Sequence, residues 1–355
     1  MFWFGQLISV TGTWMQSLAQ SWLVVDALNA TGFQLGLVNV FQFGPVLFFA
    51  IPAGVLADRV PKRNLMVVTQ STFATLAVIL TILVATDRIE LWHVFSLATC
   101  FGITNAFDMP TRQAFVSEMV GSEAIPNAIA LNSALFNTGR ILGPAIAGAC
   151  LALFGSAVCF GINAVSYLAV IASLLTMTLA PLSNVVRGSA LARLKEGLHY
   201  VRTTPEILRP IILVGLVGTF GMNFNVWLPL LATEDFGAGA GTFGLLFAAM
   251  GAGSLIGALT LAFSGIVPSR RRMIATACAL GAVELLLAAV ASVPANVVVG
   301  MSILVIIGFC SSMTMATGNT LVQTTAGDAI RGRVMAVYMT VFAGSVPFGA
   351  IISGT

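Results

Sequence analysis

Gly54-Val55-Leu56-Ala57-Asp58-Arg59-Val60-Pro61-Lys62-Arg63 packs four charges into ten residues, and the runs on either side, 33–57 up to the charges and 64–86 beyond them, carry none. A helix needs ~20 apolar residues to cross a hydrocarbon core, and both runs are long enough. The pattern recurs along the chain. Charged residues are 8% of the 355 and hydrophobic ones 58%, whereas an average soluble domain is about 25% charged. With 16 Lys or Arg against 13 Asp or Glu, the formal charge is only +3. So few charges could not solvate the surface of a soluble chain this long. An ordinary globular enzyme, a disordered chain and a basic nucleic-acid binder are therefore excluded. The runs show no alternation of period two, so they read as helices rather than barrel strands, giving an all-α polytopic membrane protein.

Eleven spans are expected, at about 2–26, 33–57, 64–86, 91–116, 124–154, 157–180, 209–233, 241–264, 273–292, 296–325 and 332–355. One long connection, 181–208, divides six spans from five. The organisation expected is an N-terminal half at 1–182, a cytoplasmic loop at 183–208 and a C-terminal half at 209–355. The loops joining spans 2–3, 6–7, 8–9 and 10–11, with the end of span 4, hold 14 of the 16 basic residues, while the opposite loops hold only Arg88 and span 5 holds Arg140. The basic side is cytoplasmic by the positive-inside bias. Cys100, Cys150, Cys159, Cys278 and Cys310 all fall within apolar runs, at spacings that suit no metal site, and read as small buried hydrophobes.

An internal repeat is visible. Val60-Pro61-Lys62-Arg63-Asn64-Leu65-Met66 matches Val267-Pro268-Ser269-Arg270-Arg271-Arg272-Met273 at four of seven positions, 207 residues apart. Gly139 and Pro144 find Gly344 and Pro347 at similar offsets. These matches suggest two parallel halves related by an axis along the membrane normal.

Gly54 through Arg63 resembles the loop signature of the major facilitator superfamily, departing from it at Pro61, where the general pattern has Gly. Gly139-x-x-x-Gly143-Pro144-x-x-Ala147-Gly148 resembles the antiporter signature of that superfamily's exporters. Asp108-Met109-Pro110-Thr111-Arg112-Gln113-Ala114, with Phe4-Gly5-Gln6 and Gly12-Thr13-Trp14, looks like the bacterial branch of enterobactin exporters and macrolide-type efflux pumps. The resemblance implies a two-lobed bundle of twelve spans in the bacterial inner membrane, so a chain with eleven is expected to be truncated. It also implies that Asp58 locks the cytoplasmic side against a helix N-terminus of the other half, tuned by Arg59, Lys62 and Arg63. It gives Gly139, Gly143, Pro144 and Gly148 the packing of the two halves, and spans 1, 4, 7 and 10 the lining of the cavity.

The residues themselves point the same way. Gln6, Ser9, Thr13, Gln16 and Gln20 form one stripe on span 1, which should face a wet cavity or a partner helix rather than lipid. Span 4 offers Asn105, Asp108 and Arg112, span 7 Asn223 and Trp227, and span 10 Asn319 and Gln323. Interhelical hydrogen bonding would explain any one of them as well. Asp108 and Arg140 are intramembrane charges and functional candidates by default. Arg112 stands one turn from Asp108 and can pair with it. Asp108 lies ~24 Å from the outer end of span 4 and Arg140 ~20 Å from the inner end of span 5, on a rise of 1.5 Å per residue, so no direct bridge between them is expected. Asp108 is expected at the cytoplasmic gate, and Arg140 to lend the cavity a positive field. Asp26 reads as an interfacial anchor. Glu284, midway along span 9, fits a paired or snorkelling residue and a coupling site equally.

Gly239-Ala240-Gly241-Thr242-Phe243-Gly244 matches a dinucleotide pattern but follows no strand. The two lysines follow Pro61 and Leu194 rather than Gly, so there is no phosphate-binding loop, and His93 and His199 are isolated. No cofactor, metal or nucleic-acid partner is expected, and no enzymatic activity. The expected protein is a monomeric secondary exporter of a small polar or amphipathic compound, drug-like or siderophore, in contact with membrane lipid. It works by alternating access, with a proton as coupling ion. The alternatives are an uptake symporter of the same fold and an inactive or sensing fragment.

Overall fold

The computed structural model describes residues 2–119, 125–177, 190–237, 239–263, 267–291, 297–327 and 330–355. These residues contain no strand. The helices are α1 (Phe2–Trp22), α2 (Gly32–Arg59), α3 (Lys62–Ala85), α4 (Leu91–Met119), α5 (Ile125–Phe154), α6 (Ser156–Thr176), α7 (Ala190–Thr203), α8 (Pro205–Phe220), α9 (Phe224–Leu230), α10 (Ala240–Phe263), α11 (Arg270–Ala291), α12 (Val297–Thr325) and α13 (Arg331–Gly354). Eight helical segments among the described residues are long and apolar enough to cross a membrane. α1, α4 and α5 are as long, at 21, 29 and 30 residues, but carry the polar stripes that lower their hydropathy. Large apolar side chains such as Phe48 (80% exposed) and Phe263 (83% exposed) point outward, which suits lipid and would be a liability in water.

The repeat is structural. From the start of α2 to that of α10, and from α3 to α11, is 208 residues; from α4 to α12, and from α5 to α13, is 206. α1 runs into a π-helical turn, Leu23–Ala27, and α9 into another, Leu231–Asp235. Each turn is followed by a residue of positive φ, Asn29 at 47° and Gly237 at 54°.

The chain forms two compact units: Met1–Ala30 with Phe41–Ala190, and Thr31–Val40 with Leu191–Thr355. The first turns of α2 were expected in the N-terminal half. They group instead with the second unit, because glycines let backbones meet there: a Cβ at Gly32 would stand 2.8 Å from the Gly354 carbonyl oxygen, and one at Gly36 would overlap that of Ala350. In the first unit α1 is the central rod. Gly5 and Gly12 admit α6, and Gly139 and Gly143 of α5 admit α1, with a Cβ at Gly143 only 2.8 Å from the Thr11 carbonyl oxygen. In the second unit, α10 and α12 approach through Gly253 and Gly308.

The connection at 181–208 is no plain loop, since it contains α7. Val201 of α7 is buried with Ile207, Ile211, Met273, Val322 and Val334 from α8, α11, α12 and α13. Glu196 pairs with Arg333 at the start of α13. That pair is exposed, and exposed pairs contribute roughly 0–1 kcal/mol, so Glu196→Ala should barely change thermal unfolding in detergent. Gly197→Val should loosen α7 measurably, because a Cβ at Gly197 would stand 2.6 Å from the Arg333 carbonyl oxygen; limited proteolysis at α7 checks this.

Candidate functional site

The most developed polar cluster lies inside the first unit, where α3, α4 and α1 meet. Asp108 of α4 is 1% exposed. Its Oδ1 accepts hydrogen bonds from Thr69 Oγ1 at 2.7 Å and Gln70 Nε2 at 2.9 Å, both on α3. Its Oδ2 accepts from Arg112 Nε at 3.0 Å and also pairs with Nη2. Arg112 Nη1 donates to Gln6 Oε1 on α1 at 3.3 Å. A single buried carboxylate thus joins three helices, with nearly every lone pair engaged. Gln70 Oε1 is buried with no partner.

Higher on α1 the stripe turns toward α6. Gln16 is 9% exposed, and its Oε1 accepts from Asn163 Nδ2 at 2.7 Å. Thr13 Oγ1 and Tyr167 Oη lie 3.1 Å apart. Gln16, expected at the cavity, pairs with a neighbouring helix instead. A polar stripe must avoid lipid, and a partner helix satisfies that requirement as fully as water does. Gln20 and Asn105 are half-buried, Asn105 with its Nδ2 3.7 Å from Met109 Sδ.

In the second unit, span 7 is not one helix. α8 ends at Phe220 and α9 begins at Phe224. Asn223 lies in the break, 4% exposed, and its Nδ2 donates to the Thr219 carbonyl oxygen at 2.7 Å. It is therefore a splint for the break, packed against α13 at Gly349, and not the cavity contact expected. Trp227 is half-buried, edge-on to Phe224 with ring centroids 5.3 Å apart. Gln323 is exposed and its Nε2 donates to Asn319 Oδ1 at 2.8 Å.

Arg140 is half-buried in α5 and has no hydrogen-bond or ion-pair partner among the described residues. The contacts of Asp108 are with Thr69, Gln70 and Arg112, and among the described residues none is with Arg140. Gly139 and Gly143 meet α1 of their own unit, with Pro144 and Gly148 buried beside them. The resemblance gave this set the packing of the two halves; small residues serve any close helix pair, and here the glycines serve α1. At the loop motif, Arg59 is exposed and Lys62 buried, and Arg63 donates to the Leu175 carbonyl oxygen at 2.7 Å, capping the last turn of α6. Gly54 has open space where a Cβ would stand, so its role is not close approach. The Asp58 side chain lies outside the described residues.

Thr69, Gln70, Asn163 and Tyr167 were not singled out from the sequence. Thr69-Gln70 and Asn163 are polar interruptions of otherwise apolar runs, which is the signal that marks them.

Long apolar helices repeated at offsets of 206–208 residues, with an ion pair buried between helices and two intramembrane charges, Arg140 and Glu284, left without partners among the described residues, suit a helical membrane transporter. The full chain, residues 1–355, matches the family described as transmembrane secretion effector, so it belongs to that branch of the major facilitator superfamily and is a multi-pass protein of the bacterial inner membrane. It is 25% identical to the staphyloferrin A transporter of Staphylococcus aureus, covering 96% of this chain and 85% of that one. It is 27% identical to the multidrug efflux pump Tap of Mycolicibacterium fortuitum, covering 99% and 87%. It is 24% identical to the enterobactin exporter EntS of Escherichia coli, covering 87% and 73%. A bacterial homologue of the human lysosomal transporter Spinster, solved in an inward-facing state, shares the fold with a TM-score of 0.74 at 14% identity, covering 99% of this chain and 80% of that one.

Proposed function

We propose that this transporter is an exporter of small polyoxygenated anions, siderophore-like in chemistry, moved by alternating access in exchange for protons. Support for the direction comes from the secretion family and from relatives named for efflux and export. The observation that carries the substrate class is Arg140, a cation at mid-span without a counter-charge. A guanidinium in that position is expensive unless an anion arrives, and charge-assisted hydrogen bonds to carboxylate or catecholate oxygens suit it. In this reading Asp58, Arg59, Lys62 and Arg63 form the cytoplasmic lock, and Gln20, Asn105, Trp227, Asn319 and Gln323 complete the polar lining.

Inside-out membrane vesicles test the reading. Staphyloferrin A, enterobactin and tetracycline serve as probes. Accumulation of either siderophore on acidifying the vesicle interior, abolished by a protonophore, is the expected result. Arg140→Gln should lower it about tenfold, the loss of one charge-assisted contact of about 1.4 kcal/mol, and should leave tetracycline transport less affected. Accumulation confined to right-side-out vesicles would make the protein an importer, and accumulation in neither would remove the transport reading.

A further inference from the structure

α11 packs on α12 and on α8, and it carries the one acidic side chain of its length, Glu284. Glu284 Oε1 is buried and has no hydrogen-bond partner. It lies against the break in span 7: a Cβ at Gly221 would stand 3.6 Å from Glu284 Oε1 and 3.2 Å from Leu280 Cδ2. The carboxyl oxygen thus lies within ordinary van der Waals reach of position 221, at the end of α8. At the break, Gly221 N donates to the Val217 carbonyl oxygen at 2.8 Å, while the N–H groups of Met222 and Asn223 make no backbone hydrogen bond.

The break presents both backbone ends, the N–H groups of Met222 and Asn223 before α9 and the carbonyl end of α8 beside Gly221. The last carbonyls of α8 carry the negative end of its dipole, and a carboxylate beside them adds to it. Among the described residues no basic side chain faces the spot; α13, packed there through Gly349, carries Arg331, Arg333 and Tyr338 at least eleven residues away from it, about 16 Å. α12 offers Cys310 as its sole titratable side chain. α8 offers Glu206 and Arg209, fifteen and twelve residues before Gly221, about 22 and 18 Å along the helix. The basic residues of α11 itself, Arg270 to Arg272, are at least twelve residues away, about 18 Å. The charge must therefore be balanced from solution. Interrupted transmembrane helices are where transporters in general hold coupling ions.

We propose that Glu284, lodged against the break at 221–223, is the site where this transporter loads and unloads its coupling proton, an inference that rests on the antiport reading above. One proton joins a carboxylate oxygen of Glu284 from the outer side. The neutral carboxyl then changes exposure, and the same proton leaves to the cytoplasm, restoring the carboxylate.

The first test needs no substrate. The full chain in membranes is treated with dicyclohexylcarbodiimide, which adds to protonated carboxyls, and Glu284 is followed by mass spectrometry across a pH series. The expected result is labelling of Glu284 that falls as pH rises, with ion-paired Asp108 unlabelled. A Glu284 unlabelled at every pH, or labelled equally at every pH, overturns the proposal; protection by sodium at fixed pH overturns the assignment to a proton. In vesicles, Glu284→Gln should keep siderophore counterflow but lose proton-driven accumulation by a factor of about ten, within the usual range of coupling energies, and Glu284→Asp should recover part of it. Wild-type accumulation by Glu284→Gln would also overturn the proposal. If no probe moves in the wild type, the export reading fails, while the labelling still decides the site.

Discussion

Asp108→Ala is expected to strip most of the folded protein from the membrane, a loss of about 3–5 kcal/mol, as for breaking other buried ion pairs. The cause is what the substitution leaves behind. Arg112 would keep its charge, with its side chain 14% exposed and only Gln6 as a remaining partner at 3.3 Å. Thr69 Oγ1 could still donate to the Met66 carbonyl oxygen at 3.0 Å, but Gln70, which is fully buried, would lose its recorded acceptor. Asp108→Asn should be nearly as damaging, because an amide cannot neutralise the guanidinium. The double variant Asp108→Asn with Arg112→Gln removes both charges and should recover much of the yield. Size-exclusion profiles and thermal unfolding of a fluorescent fusion read the outcome. Wild-type yield and melting for Asp108→Ala alone would show that the cluster does not hold these helices together.

Gly308→Ala is expected to destabilise the second unit by about 1–3 kcal/mol or more, although it adds only a methyl group. A Cβ at Gly308 would overlap the Met250 carbonyl oxygen and stand 2.9 Å from Ser254 N. The obstacle is backbone, which cannot swing aside as a side chain can. The contact is reciprocal, for a Cβ at Gly253 would overlap the Val305 carbonyl oxygen. Parting the helices would also stretch the bond from Ser254 Oγ to the Gly308 carbonyl oxygen, 3.1 Å as folded. Gly281→Ala is the control. No atom lies within 4 Å of its added Cβ, and alanine favours a helix by about 1 kcal/mol over glycine, so it should raise the melting temperature slightly. Equal behaviour of the two variants would contradict the close approach of α10 and α12.

Much of this was legible in the sequence, because bilayer thickness fixes span length and loop charge fixes orientation. The Asp108–Arg112 pair was legible from helical spacing alone. Gln16 was misplaced for a physical reason: a stripe of amides shows that lipid is excluded, but not whether a helix or water replaces it. Asn163, the partner that decides the matter, lies 147 positions away. The break at 221–223 hides inside an apolar run whose hydropathy does not register two missing hydrogen bonds. α7 carries a helical signal of its own, Leu191, Leu194, Leu198 and Val201 at steps of 3, 4 and 3, which the charges interleaved with it masked as a loop, and its burial against α8, α11, α12 and α13 is tertiary. The grouping of residues 31–40 with the second unit depends on glycine contacts at the far end of the chain.

The twin wide turns at Leu23–Ala27 and Leu231–Asp235 bear on history. π-helical geometry accounts for under roughly 1% of residues in proteins and occurs mostly as single turns within α-helices. Two occurrences at the same register, each followed by a left-handed residue, speak for inheritance from a single ancestral segment.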